Sequence, residues 1–261
     1  MIIPPCIFLL GPNGPRPPPV LFQWPAPEIG SVHEVITPHG FWTCDGKESE
    51  CQSSDPVRLE LEVISLEPRV FYIEKFLSNF EADSIIEYAR PKIDVSQVGN
   101  YDAGGARVSS TRTSRNAWVQ RTTSDVTETL FRRAADTLNL DETILHTNKN
   151  SEDMQVVYYQ LKQKYDSHHD WGVSGYNESR FITMLLYLTD GQTGFGGETA
   201  FPKARGGAGM KVRPTKGSAI LFYNLLEDGN GDDLALHAAL PVLGGEKWLA
   251  NFWVWDPKRK N

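Results

Sequence analysis

The sequence predicts an α+β fold, with a barrel- or sandwich-like β core and helices packed on one face. Three observations lead there. Two stretches with helical spacing of apolar residues fall before residue 140. From Met154 onward the pattern is almost entirely that of short strands. Turn chemistry separates those strands, and helices followed by strands are the order expected of α+β rather than of alternating βαβ units.

Taken in order, residues 1–55 are proline-rich (Pro15, Pro17, Pro18, Pro19, Pro25, Pro27) and are expected to be a poorly ordered arm or linker. Residues 56–261 are expected to form one domain. Leu59, Leu61 and Val63 alternate with polar residues, and Val70 to Ile73 follows; both read as strands. Ser78-Asn79-Phe80-Glu81 has the form of a capping box opening a helix through Ile85, Ile86 and Ala89, ended by Pro91. After a loop with Gly99, Gly104 and Gly105 comes Ala117-Trp118-Val119. A second helix starts near Ser124 and carries Val126, Leu130, Ala134 and Leu138 on one face. The later strands are expected at 155–160, 165–171, 181–188, 211–212, 219–223, 234–238 and 248–255. Asp190-Gly191, Gly196-Gly197, Gly206-Gly207, Lys216-Gly217, Asp228 to Gly231 and Gly244-Gly245 mark the turns between them.

Composition narrows the function. A net charge of −7 argues against nucleic acid or an anionic membrane surface as partner. No run reaches the roughly 18 apolar residues that a membrane span needs. The apolar patch of Cys6 to Leu10 lacks a basic flank and is a poor match to a signal peptide, although a chain with its leader removed would look the same. Cys44 and Cys51 bracket a short charged loop, and a local disulfide and two free thiols are both open readings. The cysteines do not make a zinc motif.

The chemistry centres on Tyr165-Asp166-Ser167-His168-His169-Asp170-Trp171. On a strand His168 and Asp170 share a face, offering an imidazole nitrogen and a carboxylate oxygen side by side. Alone, the pair is also what surface polar residues look like. Two histidines and a carboxylate are the usual ligand set of non-haem Fe(II) oxygenases, because they leave positions open for co-substrate and O2. Among six histidines, His33 and His39 lie in the arm, His146 follows the second helix and His169 faces away. His237 is the remaining candidate for a third ligand. Lys247 begins a strand whose odd positions (Lys247, Leu249, Asn251, Trp253) share one face. An inward lysine is costly unless it meets an anion, and a dicarboxylate co-substrate would supply one.

Several motifs occur in order. Tyr159 stands before Gln163 to Asp170. Arg180 to Leu188, Gly196 to Pro202, Pro214 to Phe222, His237 and Pro241 to Trp248 follow. With Arg112-Thr113-Ser114 and Trp118 upstream, the span from about Pro68 to Trp255 resembles the catalytic domain of prolyl 4-hydroxylases, within the Fe(II)/2-oxoglutarate dioxygenases. The resemblance implies a double-stranded β-helix (jelly-roll) core. It implies His168, Asp170 and His237 as catalytic iron ligands, and Lys247 as the cation for the distal carboxylate of 2-oxoglutarate. Tyr159 and Thr199 would bond the same end, and Trp253 would wall the pocket from the Lys247 face. Arg112, Ser114, Trp118, Arg180 and Glu152 match positions near the peptide channel. The implied reaction is C4 hydroxylation of peptidyl proline with Fe(II), 2-oxoglutarate and O2, giving 4-hydroxyproline, succinate and CO2. L-ascorbate would keep the iron reduced. A proline-containing peptide or protein would be the partner, with the enzyme a monomer in the endoplasmic reticulum or secretory pathway, the alternative being cytoplasmic. Lys162, Ser167 and Leu240 depart from the family pattern, and none is a ligand. The same chemistry on another residue or small molecule, or a catalytically silent barrel that binds proline-rich peptides, are the competing expectations. A lysine at position 247 favours the prolyl group over lysyl hydroxylases, which use arginine there.

Overall fold

A computed structural model describes residues 21–44, 51–98, 108–146, 149–172, 179–191 and 196–256. The first strands are β1 (Val32–Thr37), β2 (Trp42–Thr43), β3 (Gln52–Ser53), β4 (Val57–Ser65) and β5 (Val70–Ile73). Then come α1 (Asn79–Ala89), β6 (Asp94–Val95), β7 (Arg115–Val119) and α2 (Asp125–Leu138). The second half holds β8 (Met154–Tyr159), β9 (Tyr165–His168), β10 (Arg180–Tyr187), β11 (Thr199–Phe201), β12 (Met210–Val212), β13 (Ala219–Tyr223), β14 (His237–Ala239) and β15 (Lys247–Trp255). Nine strands form one antiparallel sheet in the order β1-β4-β5-β13-β10-β15-β8-β7-β6. A second, four-stranded sheet runs β12-β11-β14-β9. Two facing sheets of this kind make the jelly roll.

The central strands are apolar almost throughout because both their faces are covered. Along β15, Trp248, Ala250, Phe252 and Val254 join the core under the helices, while Leu249 packs between the sheets. In β10, Ile182, Met184 and Leu186 face the helices, and Leu185 and Tyr187 face the small sheet. The expected alternation of Leu59, Leu61 and Val63 is borne out in β4, all three being buried.

Both helix starts match their sequence signals. Ser78 caps α1 and Glu81 returns the bond, as a capping box requires. Ser124 caps α2 with Thr127 in the reciprocal role, and Asn139 in the left-handed region ends that helix. The loop around Gly104 and the first 20 residues lie outside the described residues.

Four expectations are corrected. The proline-rich segment is not an arm throughout: β1 is the edge strand of the large sheet, and Trp24 packs against the main core. The reason is a buried ion pair. Arg133 of α2 and Glu81 of α1 are both fully buried, with Nη2–Oε1 at 2.8 Å. Arg133 Nε also donates to the carbonyl of His39 (2.8 Å), its Nη2 to that of Gly40, and Glu81 Oε1 accepts from the Trp42 amide (3.0 Å). The segment thus satisfies charges that the helices alone leave open. Cys44 and Cys51 form a disulfide beside the β2–β3 pairing.

The other corrections concern boundaries. The strand expected to run to Trp171 stops at His168, because the chain bends so that Asp170 turns inward. The Trp171 ring packs against Gly231, where any Cβ would lie 2.2 Å from it, and its indole N–H donates to the Asp232 carbonyl (3.0 Å). The strand expected over 234–238 begins only at His237; Asp232 caps a short helical turn over Asp233–Ala235. β11 was not expected, since three residues are too few to show alternation.

Removing one partner of a buried ion pair leaves an uncompensated charge. Arg133→Met is expected to lower stability by about 3–5 kcal/mol in urea unfolding, with much of the loss recovered when Glu81→Leu is added. A single-mutant loss under about 1 kcal/mol would show that the clamp is not structural.

Candidate active site

Antiparallel pairing of β14 with β9 sets His237 directly opposite His168. Their rings lie 4.3 Å apart, and Asp170 closes the group from the bend after β9. His168 Nε2 is 3.8 Å from Asp170 Oδ1, and His237 Nε2 is 3.7 Å from Oδ2. One ligand atom from each of the three lies within 4.8 Å of the others.

Each imidazole is held with Nε2 inward. His168 Nδ1 donates to the Asp166 carbonyl (2.9 Å) and His237 Nδ1 to that of Ala235 (3.0 Å). That places the lone pair on Nε2, which a metal requires. Burial drives the His168 pKa down to about 3, with His237 adding to the effect and Asp170 opposing it. For Asp170 burial acts the other way, but His237, His168, Arg180 and the Thr183 hydroxyl outweigh it and hold the carboxyl well below the usual range. Neutral imidazoles and an ionised carboxylate are the protonation states that bind a cation. The N2O donor set fits Fe(II), whereas a structural zinc site would be rich in thiolate.

Asp170 Oδ2 accepts from Thr183 Oγ1 (2.7 Å) and from Trp253 Nε1 (2.9 Å). The Arg180 guanidinium stacks 3.5 Å over the Trp253 ring and forms a bidentate pair with Glu152 (2.6 and 2.8 Å). Tyr165 stacks on the His168 ring at 3.6 Å. Trp253 shares the Lys247 face of β15, as the alternation implied. The two stand six positions apart, roughly 20 Å of strand, so Trp253 touches Asp170 and not the lysine.

Lys247 pairs across the strands with Tyr159 and is buried. Its Nζ lies 5.5 Å from the Tyr159 ring and 5.9 Å from that of Tyr187, and donates to the Gly197 carbonyl (2.6 Å). Burial pushes its pKa down to about 7, with Glu198 opposing. Thr199 Oγ1 accepts from the Tyr187 hydroxyl (2.8 Å). Gly196 stands where a side chain cannot: its φ is 68°, and a Cβ would meet the Pro241 carbonyl at 2.2 Å. Burial raises the Tyr159 pKa to about 12, against Arg112 and a Ser114 hydrogen bond.

Arg112 and Ser114 lie together: Arg112 Nε donates to Ser114 Oγ (3.2 Å) and Nη2 to Gln155 Oε1 (3.0 Å). The half-exposed Trp118 leans on Trp253, ring centres 6.3 Å apart. Thr183, Tyr187, Asn224 and Gln155 are buried polar residues of this region that the sequence reading did not single out. Alternation along β10 gives Thr183 and Tyr187 a shared face, but not the partners that bring them into the site.

The chain matches the model of the 2OG-Fe(II) oxygenase superfamily over residues 154–255. Prolyl 4-hydroxylase 5 of Arabidopsis thaliana is 34% identical over 212 residues, covering 74% of this chain and 70% of that protein. Prolyl 4-hydroxylase 1 of the same plant is 34% identical over 208 residues, covering 74% and 71%. The viral collagen prolyl hydroxylase from Paramecium Bursaria Chlorella virus-1, solved as a 2OG complex, is similar in structure. Its TM-score is 0.54 at 28% identity, over 71% of this chain and 95% of that one. A Trichoplax adhaerens prolyl hydroxylase shares the fold at 17% identity, with a TM-score of 0.54 over 73% and 85%. The His-Asp-His cluster, the jelly roll and these relatives agree: the chain belongs to the prolyl 4-hydroxylase family of 2OG-Fe(II) oxygenases.

Proposed function

We propose that this chain is a dioxygenase that hydroxylates peptidyl proline at C4 with Fe(II), 2-oxoglutarate and O2, releasing succinate and CO2. The observation that carries the reading is the convergence of His168 Nε2, Asp170 and His237 Nε2, with each Nδ1 already tied to a carbonyl. When bound there, iron supplies oxygen activation and the oxidative decarboxylation of the 2-oxo acid. The chain's own residues bind and orient.

Lys247 meets the distal carboxylate of the co-substrate, exchanging its bond to the Gly197 carbonyl for a charge-assisted one. Thr199 and Tyr159 bond the same carboxylate, and Tyr187 orients the Thr199 hydroxyl. Buried apolar neighbours (Leu185, Ile220, Leu249) keep this pocket dry, which strengthens each polar contact. The peptide passes along Trp118, Trp253 and the Arg180–Glu152 pair, with Arg112 and Ser114 at the other side. An exposed indole beside a stacked guanidinium suits a proline ring, which is apolar and pre-extended.

Ascorbate as the reductant of oxidised iron belongs to this reading. A secretory compartment is supported by the Cys44–Cys51 disulfide, since such bonds persist where the surroundings are oxidising. Action as a monomer is supported by a ligand set and a lysine that all come from one chain.

A peptide panel assayed by mass spectrometry should show a gain of one oxygen on proline only with 2-oxoglutarate present. His168→Ala and His237→Ala should each abolish that turnover; full activity in either would sink the assignment. Lys247 gives a pH signature. Its pKa in the free protein is about 7, and only the ammonium form attracts a carboxylate. Above pH 7 binding must first restore the proton, at about 1.4 kcal/mol per pH unit. Calorimetric affinity for 2-oxoglutarate should therefore fall about tenfold per unit above pH 7. Lys247→Arg, charged throughout, should flatten the slope.

A further inference from the structure

We infer that Asn224 and Thr183 form a relay that restricts Asp170 to ligation through one carboxylate oxygen. The inference rests on the metal reading of His168, Asp170 and His237.

Asp170 and the two relay residues are buried. Asp170 Oδ2 receives two donors, the Thr183 hydroxyl at 2.7 Å and the Trp253 indole N–H at 2.9 Å. A carboxylate oxygen has about two lone-pair directions, so Oδ2 has none left for a cation. The two oxygens are equally near an imidazole nitrogen, Oδ1 at 3.8 Å from His168 Nε2 and Oδ2 at 3.7 Å from His237 Nε2, so the donors decide between them: Arg180 Nη1, at 3.9 Å from Oδ1, is outside hydrogen-bond reach. Oδ1 is therefore the ligating oxygen.

The direction of the relay follows from proton counting. Thr183 has one hydroxyl proton, and an ionised Asp170 can only accept. Thr183 must give that proton to Asp170 and can then only accept from its other neighbour. The neighbour is the Asn224 amide, whose Nδ2 donates to Thr183 Oγ1 at 2.7 Å. Asn224 Oδ1 is buried with no partner, so what sets this amide's orientation is the bond to Thr183. Because Asn224 presents its N–H and not its oxygen to Thr183, it offers the hydroxyl proton no acceptor in competition with Asp170.

The consequence is a count of open positions. With Oδ2 engaged by its two donors, the three residues would offer a cation three donor atoms in place of four, leaving more of its coordination sphere for other ligands. Thr183 and Asn224 are positioning residues in this sense, acting through Asp170.

Co(II) titration of the apoprotein, followed by its d–d absorption, tests this without turnover. Thr183→Val keeps the shape and removes the donor. It should weaken Co(II) about 10- to 100-fold and shift the d–d bands. Thr183→Ser should restore both. Asn224→Asp keeps the hydroxyl but adds a second acceptor for its proton, and should reproduce the Thr183→Val spectrum. If Asn224→Asp does not fold by circular dichroism, the Thr183→Val and Thr183→Ser pair decides. Wild-type affinity and bands in folded Thr183→Val or in the folded Asn224 variant would overturn the relay. A wild-type protein whose Co(II) spectrum is unchanged by His237→Ala would instead overturn the metal reading itself.

Discussion

The pleat of β10 and β15, side by side in a sheet covered on both faces, is the constraint on which the rest depends. From Ile182 onward in β10, and along β15, even positions go under the helices and odd positions toward the small sheet, while an irregularity between Arg180 and Ile182 puts Phe181 under the helices. Thr183, Tyr187, Lys247, Asn251 and Trp253 thereby share one face with no further instruction. A slip of one residue would exchange the two sets. Lys247 would enter the helix-side core, and Asp170 would lose both donors to its outer oxygen.

Concentrating so many polar groups in an apolar interior is costly unless they are satisfied, and apart from Asn224 Oδ1 those of the site are. The lysine meets a carbonyl, the carboxylate meets a hydroxyl and an indole, and the guanidinium of Arg180 meets both oxygens of Glu152. These bonds also aim the groups. The His168 imidazole is neutral because burial makes a charged ring expensive, and both rings are oriented because two carbonyls take their Nδ1 protons. The protonation states that bind a cation thus follow from the packing of the site.

A second polar centre holds the N-terminal segment. Glu81 serves as the capping-box partner of α1 and as the counter-ion of Arg133, and both then bind backbone groups of residues 39–42. Proline content suggested an arm because it speaks only of local stiffness. It cannot report that two helices leave acceptors and donors that this backbone completes. The disulfide closes the adjoining loop, a choice between two equal local readings that proximity decided.

From the sequence alone came the α+β class, the two capped helices, most strands, and the residues of the metal cluster. Those features are written in local periods, in cap chemistry and in the scarcity of histidine. Only the tertiary structure decided where β9 ends, that Trp253 serves Asp170 rather than Lys247, and that Thr183, Tyr187 and Asn224 belong to the site. Each of those depends on residues distant in the chain meeting across a sheet or between sheets. A hydroxyl or an amide has no sequence signature for the partner it will find. The chemistry-bearing residues were legible because their types are rare; the residues that aim them were not, because their types are common and their role is set by contact.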